Sequence, residues 1–208
     1  MKNQHEAIDI SPSEYLYHLS FGDDRLTGNP ERQILIKGDV VIDGLEFSGK
    51  LPKASVLGNC TVLNCNAVSS CFFDCTGTLT ISDCNKLMQI GGKTGGLTVK
   101  RCGLEALGAN FECDGDVLLE NCRGFSKINC RVGGDFSVLG EGTIHAGPAF
   151  LCEGSLSLFD GAGFVSWHKL LDVPEGAQTH EARPMGSGRA QKGSSVKANY
   201  STTRGLGR

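Results

Sequence analysis

The chain has 208 residues, a formal net charge of −3 and 29 glycines. Glycine at about twice its average usage excludes a helical bundle, because helix interiors disfavour it, and favours short strands and tight turns. The charge is uneven: residues 178–208 hold six Lys+Arg against one Asp+Glu, a net of +5, so residues 1–177 carry −8.

The first predicted element is a helix. In SPSEYLYHLSF, Ser11 stands in the N-cap position, Pro12 in the first helical position and Glu14 in the capping-box position. The pattern predicts a short helix over about 12–19 that closes one end of the body, within a cap spanning 1–35.

A repeat follows. The frame Gly-x-apolar-x-apolar recurs as GDVVI (38–42), GNCTV (58–62), GTLTI (77–81), GGLTV (95–99), GDVLL (115–119), GDFSV (134–138) and GSLSL (154–158). Its leading glycines are spaced 20, 19, 18, 20, 19 and 20 residues apart. Apolar residues recur three and six positions after a second landmark: Val68 and Cys71 after Cys65, Leu87 and Ile90 after Cys84, Phe125 and Ile128 after Cys122. Leu104 and Leu107 follow Cys102 with a one-residue slip, Ile144 fits without a partner at Gly147, and Phe164 and Trp167 follow Gly161.

Each unit reads as one alternating strand, a turn and a less regular return, and stacking buries the apolar face that a single unit leaves open. The prediction is a mainly β, right-handed solenoid of about seven coils over 36–175, its strands pairing in parallel register as one curved sheet. GFVSWHKLLDV (163–173) is expected to close the far end, and 176–208 is expected to be a disordered basic tail.

The run L79-T-I81-S-D-C84-N-K-L87 resembles the L-x-L-x-x-C-x-x-L frame of cysteine-type leucine-rich repeats, and the GDF/GDV element resembles short bacterial leucine-rich-like repeats. The resemblance covers about 36–170. It implies that the cysteine column points inward at the turn, and that the protein belongs among bacterial repeat proteins, some of them secreted effectors. A parallel β-helix with three strands per coil is the structural alternative.

The cysteines fall into columns. Cys65, Cys84, Cys102 and Cys122 form one, and Cys75, Cys113 and Cys152 another. The C-x₂₋₄-C-like pairs Cys60/Cys65 and Cys71/Cys75 occupy slots that packing already explains, so no metal and no cofactor are expected. Asp39, Asp116 and Asp135 follow the frame glycine as calcium-binding β-rolls would have them. The period is wrong for that chemistry, and Asx bonding within the turn is the expected role. No phosphate loop, HExxH or G-x-S-x-G occurs, which argues against an enzyme.

The outward strand positions carry the functional expectation. They include Val41, Leu63, Thr80, Ser82, Thr98, Lys100, Leu118, Glu120, Leu139 and Phe159. Leu118, Leu139 and Phe159 on three successive coils are expected to form an apolar stripe that binds a protein partner. The rival reading is a β-helix enzyme acting on a polysaccharide or other extended polymer. The spaced arginines and lysines of the tail suggest weaker contact with nucleic acid or anionic lipid. No stretch has the ~20 apolar residues of a membrane-spanning helix, and MKNQHEAIDI has no apolar signal core. A reducing, cytoplasmic location is expected, or export to a host cell without a cleaved signal.

Overall fold

The computed structural model describes residues 8–21, 34–46, 48–159 and 162–166. Seven coils stack into a β-solenoid, and all the strand pairings are parallel. Each coil passes three faces. Face one is built from Ile8–Ile10, Ile34–Lys37, Ala54–Leu57, the middles of Val68–Ser82 and Gln89–Lys100, the end of Ala106–Cys113, Arg131–Val132 and Leu151–Cys152. Face two holds the repeated frame: Val40–Asp43, Cys60–Leu63, residues 79–82 and 97–100, Val117–Glu120, Phe136–Leu139 and Leu156–Phe159. Face three contains Gly49–Lys50, residues 68–71 and 89–91, the start of Ala106–Cys113, Lys127–Ile128, Gly142–Ala146 and Ala162–Ser166. Strands Val68–Ser82 and Gln89–Lys100 run through the corners and join the three ladders into one wound sheet of 17 strands.

The return segment is therefore not irregular. It forms two further ladders, and the coil has the three-strand geometry of the β-helix alternative. Period-2 alternation in short segments, two to five residues long on faces one and three, escapes a search tuned to the longer frame.

The predicted core is confirmed on face two. Leu79, Ile81, Leu97, Val99, Val117, Leu119 and Phe136 are fully buried, and only Leu156 and Leu158 in the last coil are half-buried. Val68, Cys71, Leu87, Ile90, Leu104, Leu107, Phe125 and Ile128 line the core from face three and the corner before it. The slip after Cys102 is real: Ile90 pairs with Leu107, and residues 108–110 add two positions before Gly92 meets Phe111. Along face one the inward residues alternate in size, with Phe73, Gly92, Phe111 and Cys130 on successive coils. Gly92 has φ +102°, and a side chain there would run into the Phe73 carbonyl.

From the second coil on the frame glycine answers to proximity and not to φ; only Gly38, which opens the first coil, is left-handed, at +114°. A Cβ on Gly58 would sit 2.6 Å from Asp39 Oδ1 and 2.8 Å from the Gly38 carbonyl carbon. At this corner the backbones of successive coils approach closely, as in the Gly77 N–H to Gly58 carbonyl bond of 3.0 Å. The other corner uses left-handed residues: Gly44, Asn64, Asp83, Arg101 and Asn121 have φ of 63°, 54°, 58°, 49° and 53°. Glycine, Asn and Asp enter this region cheaply, whereas Arg does so at a cost of about 1–2 kcal/mol.

The N-terminal cap forms as predicted and two residues longer, as the helix Pro12–Phe21. Ser11 N–H and Oγ–H both donate to Glu14 Oε2 at 2.7 Å, and Glu14 N–H donates to Ser11 Oγ at 3.2 Å, a complete capping box. Tyr15 and Leu19 are buried over the first coil, with the Tyr15 hydroxyl on the Pro52 carbonyl at 3.2 Å. Strand Ile8–Ile10, unforeseen from the sequence, extends face one by a rung beside Ile34–Ile36. The expected closure by 163–173 falls mostly, and the basic tail 176–208 entirely, outside the described residues.

Candidate functional site: face two and the adjoining groove

Face two presents two outward columns. One runs Val41, Thr61, Thr80, Thr98, Leu118, Ser137, Ser157, and the other Asp43, Leu63, Ser82, Lys100, Glu120, Leu139, Phe159. Register is set on the inner side, where Val117 meets Phe136 and Leu119 meets Val138. A slip of one residue would turn all of these into solvent.

This register corrects the expected stripe. Leu139 and Phe159 are neighbours in one column, but Leu118 lies in the other, between Thr98 and Ser137, so the three make a diagonal step. Leu63, Leu118 and Leu139 are half-buried, while Val41 and Phe159 are 52% and 40% exposed. Ser82, expected to be available, points outward yet is covered to 9% exposure. Its column neighbours on the adjoining coils, Leu63 and Lys100, both carry longer side chains.

Charge separates the faces. Of fourteen outward positions on face two, three are charged, and Lys100 and Glu120 pair with each other at 2.8 Å. Asp43 accepts a bond from Asn64 Nδ2 at 2.8 Å. Face one instead alternates Asp74, Lys93, Glu112 and Arg131 on successive coils, with ion pairs Lys53–Asp74, Lys93–Asp114 and Arg131–Glu153 at its edges. Solvated, laced charge suits a face kept free. A weakly polar face of threonines, serines and aliphatics does not need water in the same way.

The corner between faces two and three opens into a groove of about 760 Å³ over coils three to six. Asp83, Arg101 and Asn121 line it in left-handed conformation, with Asn85, Arg123 and Glu141 beside them. Gly124 and Gly140 leave its floor without side chains. Arg101 Nε and Nη2 hold both Asp83 oxygens at 2.7 Å. The guanidinium keeps the Asp83 carboxyl below its ordinary range, and the carboxylate raises Arg101 in turn.

The acidic frame residues brace the opposite corner, though not within their own turns as expected. Each reaches the next coil: Asp39 Oδ1 accepts from Asn59 N–H at 2.7 Å, Asn59 Oδ1 from Thr78 N–H at 2.9 Å, Asp116 Oδ1 from Asp135 N–H at 2.8 Å and Asp135 Oδ1 from Ser155 N–H at 2.7 Å. The result is an Asx ladder along the axis.

All ten cysteines are free thiols. Cys65, Cys84, Cys102 and Cys122 occupy one corner column and donate to the carbonyl two residues back, at 3.0, 3.3, 3.2 and 3.8 Å. The second column is interrupted, because Thr94 and Val132 alternate with Cys75, Cys113 and Cys152, so those thiols stand two coils apart. Hydrogen bonding within the first file pushes Cys84 up and pulls Cys65 and Cys102 down. Burial pushes Cys122 up to about 11 and Cys130 up to about 12. These thiols behave as small apolar residues with a weak donor.

Among the described residues no group of three or more His, Cys, Asp or Glu is placed to hold a metal, and no helix is long and apolar enough to cross a membrane. The expected outward face thus exists, with a changed pattern, and the groove was missed. The repeated Asn/Asp/Arg-Cys dipeptides at 64–65, 83–84, 101–102 and 121–122 were the signal for its left-handed wall. No family model, no curated protein and no solved structure matches the chain.

Proposed function

We propose that the protein is a recognition scaffold that binds a protein partner across face two and performs no chemistry of its own. The observation that carries this reading is the contrast between a face with one uncompensated charge in fourteen positions and a neighbour stitched with alternating charge. A stacked solenoid supports it by holding those side chains in fixed columns, so little ordering is lost on binding. Seven strands at ~4.8 Å and four residues at ~3.3 Å give a face of about 29 by 13 Å, roughly 380 Å² in projection. Standard interfaces bury about 800 Å² per partner, so a partner confined to this face binds transiently or wraps over an edge. The resemblance to short bacterial leucine-rich-like repeats extends this reading to an exported effector whose partner is a host protein.

The rival, catalysis on an extended polymer, would draw on the groove. There Asp83 is tied by both oxygens and held anionic, which suits it to positioning and not to proton transfer.

The test is comparative capture from native lysate. The triple variant Leu118→Glu, Leu139→Glu, Phe159→Glu should lose a partner that wild type retains, with an unchanged circular dichroism spectrum. Met88→Glu, just before face three, with Lys127→Glu on it should retain it. Equal capture by the face-two variant would remove face two from the account.

A further inference from the structure

Packing calls for a small side chain where the chain turns inward after face two, but it does not call for sulfur. Coils two to five nevertheless place a thiol there without interruption, at Cys65, Cys84, Cys102 and Cys122. No other inward column among the described residues holds thiols on successive coils. Cys84 lies between two sulfurs, in hydrogen-bonding contact with Cys65 on one side and Cys102 on the other. Each of these three thiols has one proton, and each already has a carbonyl to give it to: Leu63 at 3.0 Å, Ser82 at 3.3 Å and Lys100 at 3.2 Å. The contacts from sulfur to sulfur therefore bring lone pairs together with no proton left to join them.

The backbone is arranged to hold these sulfurs as thiolates. The Leu45 N–H donates to the Cys65 sulfur, the Cys65 N–H to the Cys84 sulfur and the Cys84 N–H to the Cys102 sulfur. Such donors favour the charged form. The carbonyls do not depend on the thiol protons, because each also accepts a backbone N–H from the preceding coil. Gly44 N–H reaches Leu63 at 3.0 Å, Asn64 N–H reaches Ser82 at 3.1 Å and Asp83 N–H reaches Lys100 at 3.0 Å.

We infer that Cys84, together with either flanking thiol of this file, binds one cuprous ion in two-coordinate form. The donor set selects the ion. Thiolate sulfur takes both Cu(I) and zinc, but structural zinc needs four ligands, and no three His, Cys, Asp or Glu groups converge among the described residues. A file supplies two donors on opposite sides of one ion. Metal–sulfur bonds of about 2.3 Å set those donors about 4.6 Å apart, and the coils are already spaced ~4.8 Å apart. Every column shares that step; only this one puts sulfur on both sides of it. Binding joins one Cu⁺ to two thiols, releases two protons and moves no electron, leaving a complex of charge −1 that the N–H donors face. Cys122, the half-buried end of the file, gives the ion a way in. The other pair of thiols in contact, Cys60 and Cys75, lies across columns, and that bond together with burial pushes Cys60 up.

The experiment loads the full chain with Cu(I) under anaerobic conditions, competes it with excess bicinchoninate, a Cu(I) chelator, and reads the metal retained by native mass spectrometry. Wild type should keep one copper per chain. Cys84→Ala should keep none, and neither should the double variant Cys65→Ala, Cys102→Ala. Each of those two changes alone leaves one pair and should keep the copper, as should Cys75→Ala. Circular dichroism checks the fold of every variant. Where Cys84→Ala does not fold, Cys84→Ser takes its place, since its hydroxyl still has the Ser82 carbonyl to donate to. X-ray absorption at the copper edge should show sulfur as the only neighbour of the metal. Wild type stripped by the chelator would overturn the proposal. So would copper retained without Cys84, copper lost from Cys75→Ala or from either single variant, or an oxygen or nitrogen bound to the metal.

Discussion

Replacing Gly58 by alanine tests why the repeat begins with glycine. Where backbone and space permit, Gly→Ala stabilises a protein by about 0.4–1 kcal/mol through the unfolded chain. Gly58 has no left-handed φ that would penalise alanine. The obstacle is the preceding coil: the new Cβ would lie 2.6 Å from Asp39 Oδ1 and 2.8 and 2.9 Å from the Gly38 carbonyl carbon and oxygen. Asp39 can swing away only by giving up its 2.7 Å bond to Asn59 N–H, at about 1 kcal/mol for an exposed acceptor. The Gly38 carbonyl cannot swing, and forcing the coils apart costs about 1–3 kcal/mol. The balance is a loss of about 2 kcal/mol. It should appear as a lower urea midpoint at unchanged m, and as a fall in Tm of about 4–8 °C for a domain of this size. Gly44→Asn is the control, since its corner column already uses Asn at φ near 54°, and it should change stability by less than about 0.5 kcal/mol. A Gly58→Ala variant as stable as wild type, or more so, would refute coil-to-coil proximity as the reason for the glycine.

Further outcomes follow from the corner and the thiols. Asp83 should titrate below an ordinary aspartate when followed by NMR, and Arg101→Gln should return it to the usual range. Because the folded value is lowered, whatever the pair contributes is present above the unfolded aspartate pKa and lost as pH falls through the folded value. The denatured, unreduced protein should give ten free thiols. In the native protein, Cys122 and Cys152, the two half-buried thiols, should react with a thiol reagent before the eight buried ones. Fast native reaction at Cys84 would contradict the inward column.

The number of coils and one wall of the solenoid were legible because the Gly-x-apolar-x-apolar frame puts three alternating strand residues behind a glycine whose place leaves almost no room for a Cβ from the second coil on. The cap was legible through Ser11, Pro12 and Glu14, whose local bonds form whatever the tertiary context. The other two walls were not, since segments such as Lys127–Ile128 and Arg131–Val132 are two residues long and carry no period of their own. The apolar stripe was misjudged because alternation within a strand says which face a residue takes and not which column. Leu118 and Leu139 share the face, but Val117 pairing with Phe136 puts them two positions apart. Ser82 was misjudged because a short side chain stands in its column between the longer Leu63 and Lys100, neighbours that only the coil register brings together. The groove depends on side chains that are absent at Gly124 and Gly140, and on φ values that the sequence displays only as Asn, Asp or Arg before a cysteine.

Site-specific photo-crosslinking puts the central claim to its most direct test. A photoreactive phenylalanine at Ser137 or Thr98, the middle of face two, should yield a covalent adduct with the captured partner. The same group at Lys93 on face one or Lys127 on face three should not. Adducts from face one or face three, with none from Ser137 or Thr98, would contradict recognition by face two.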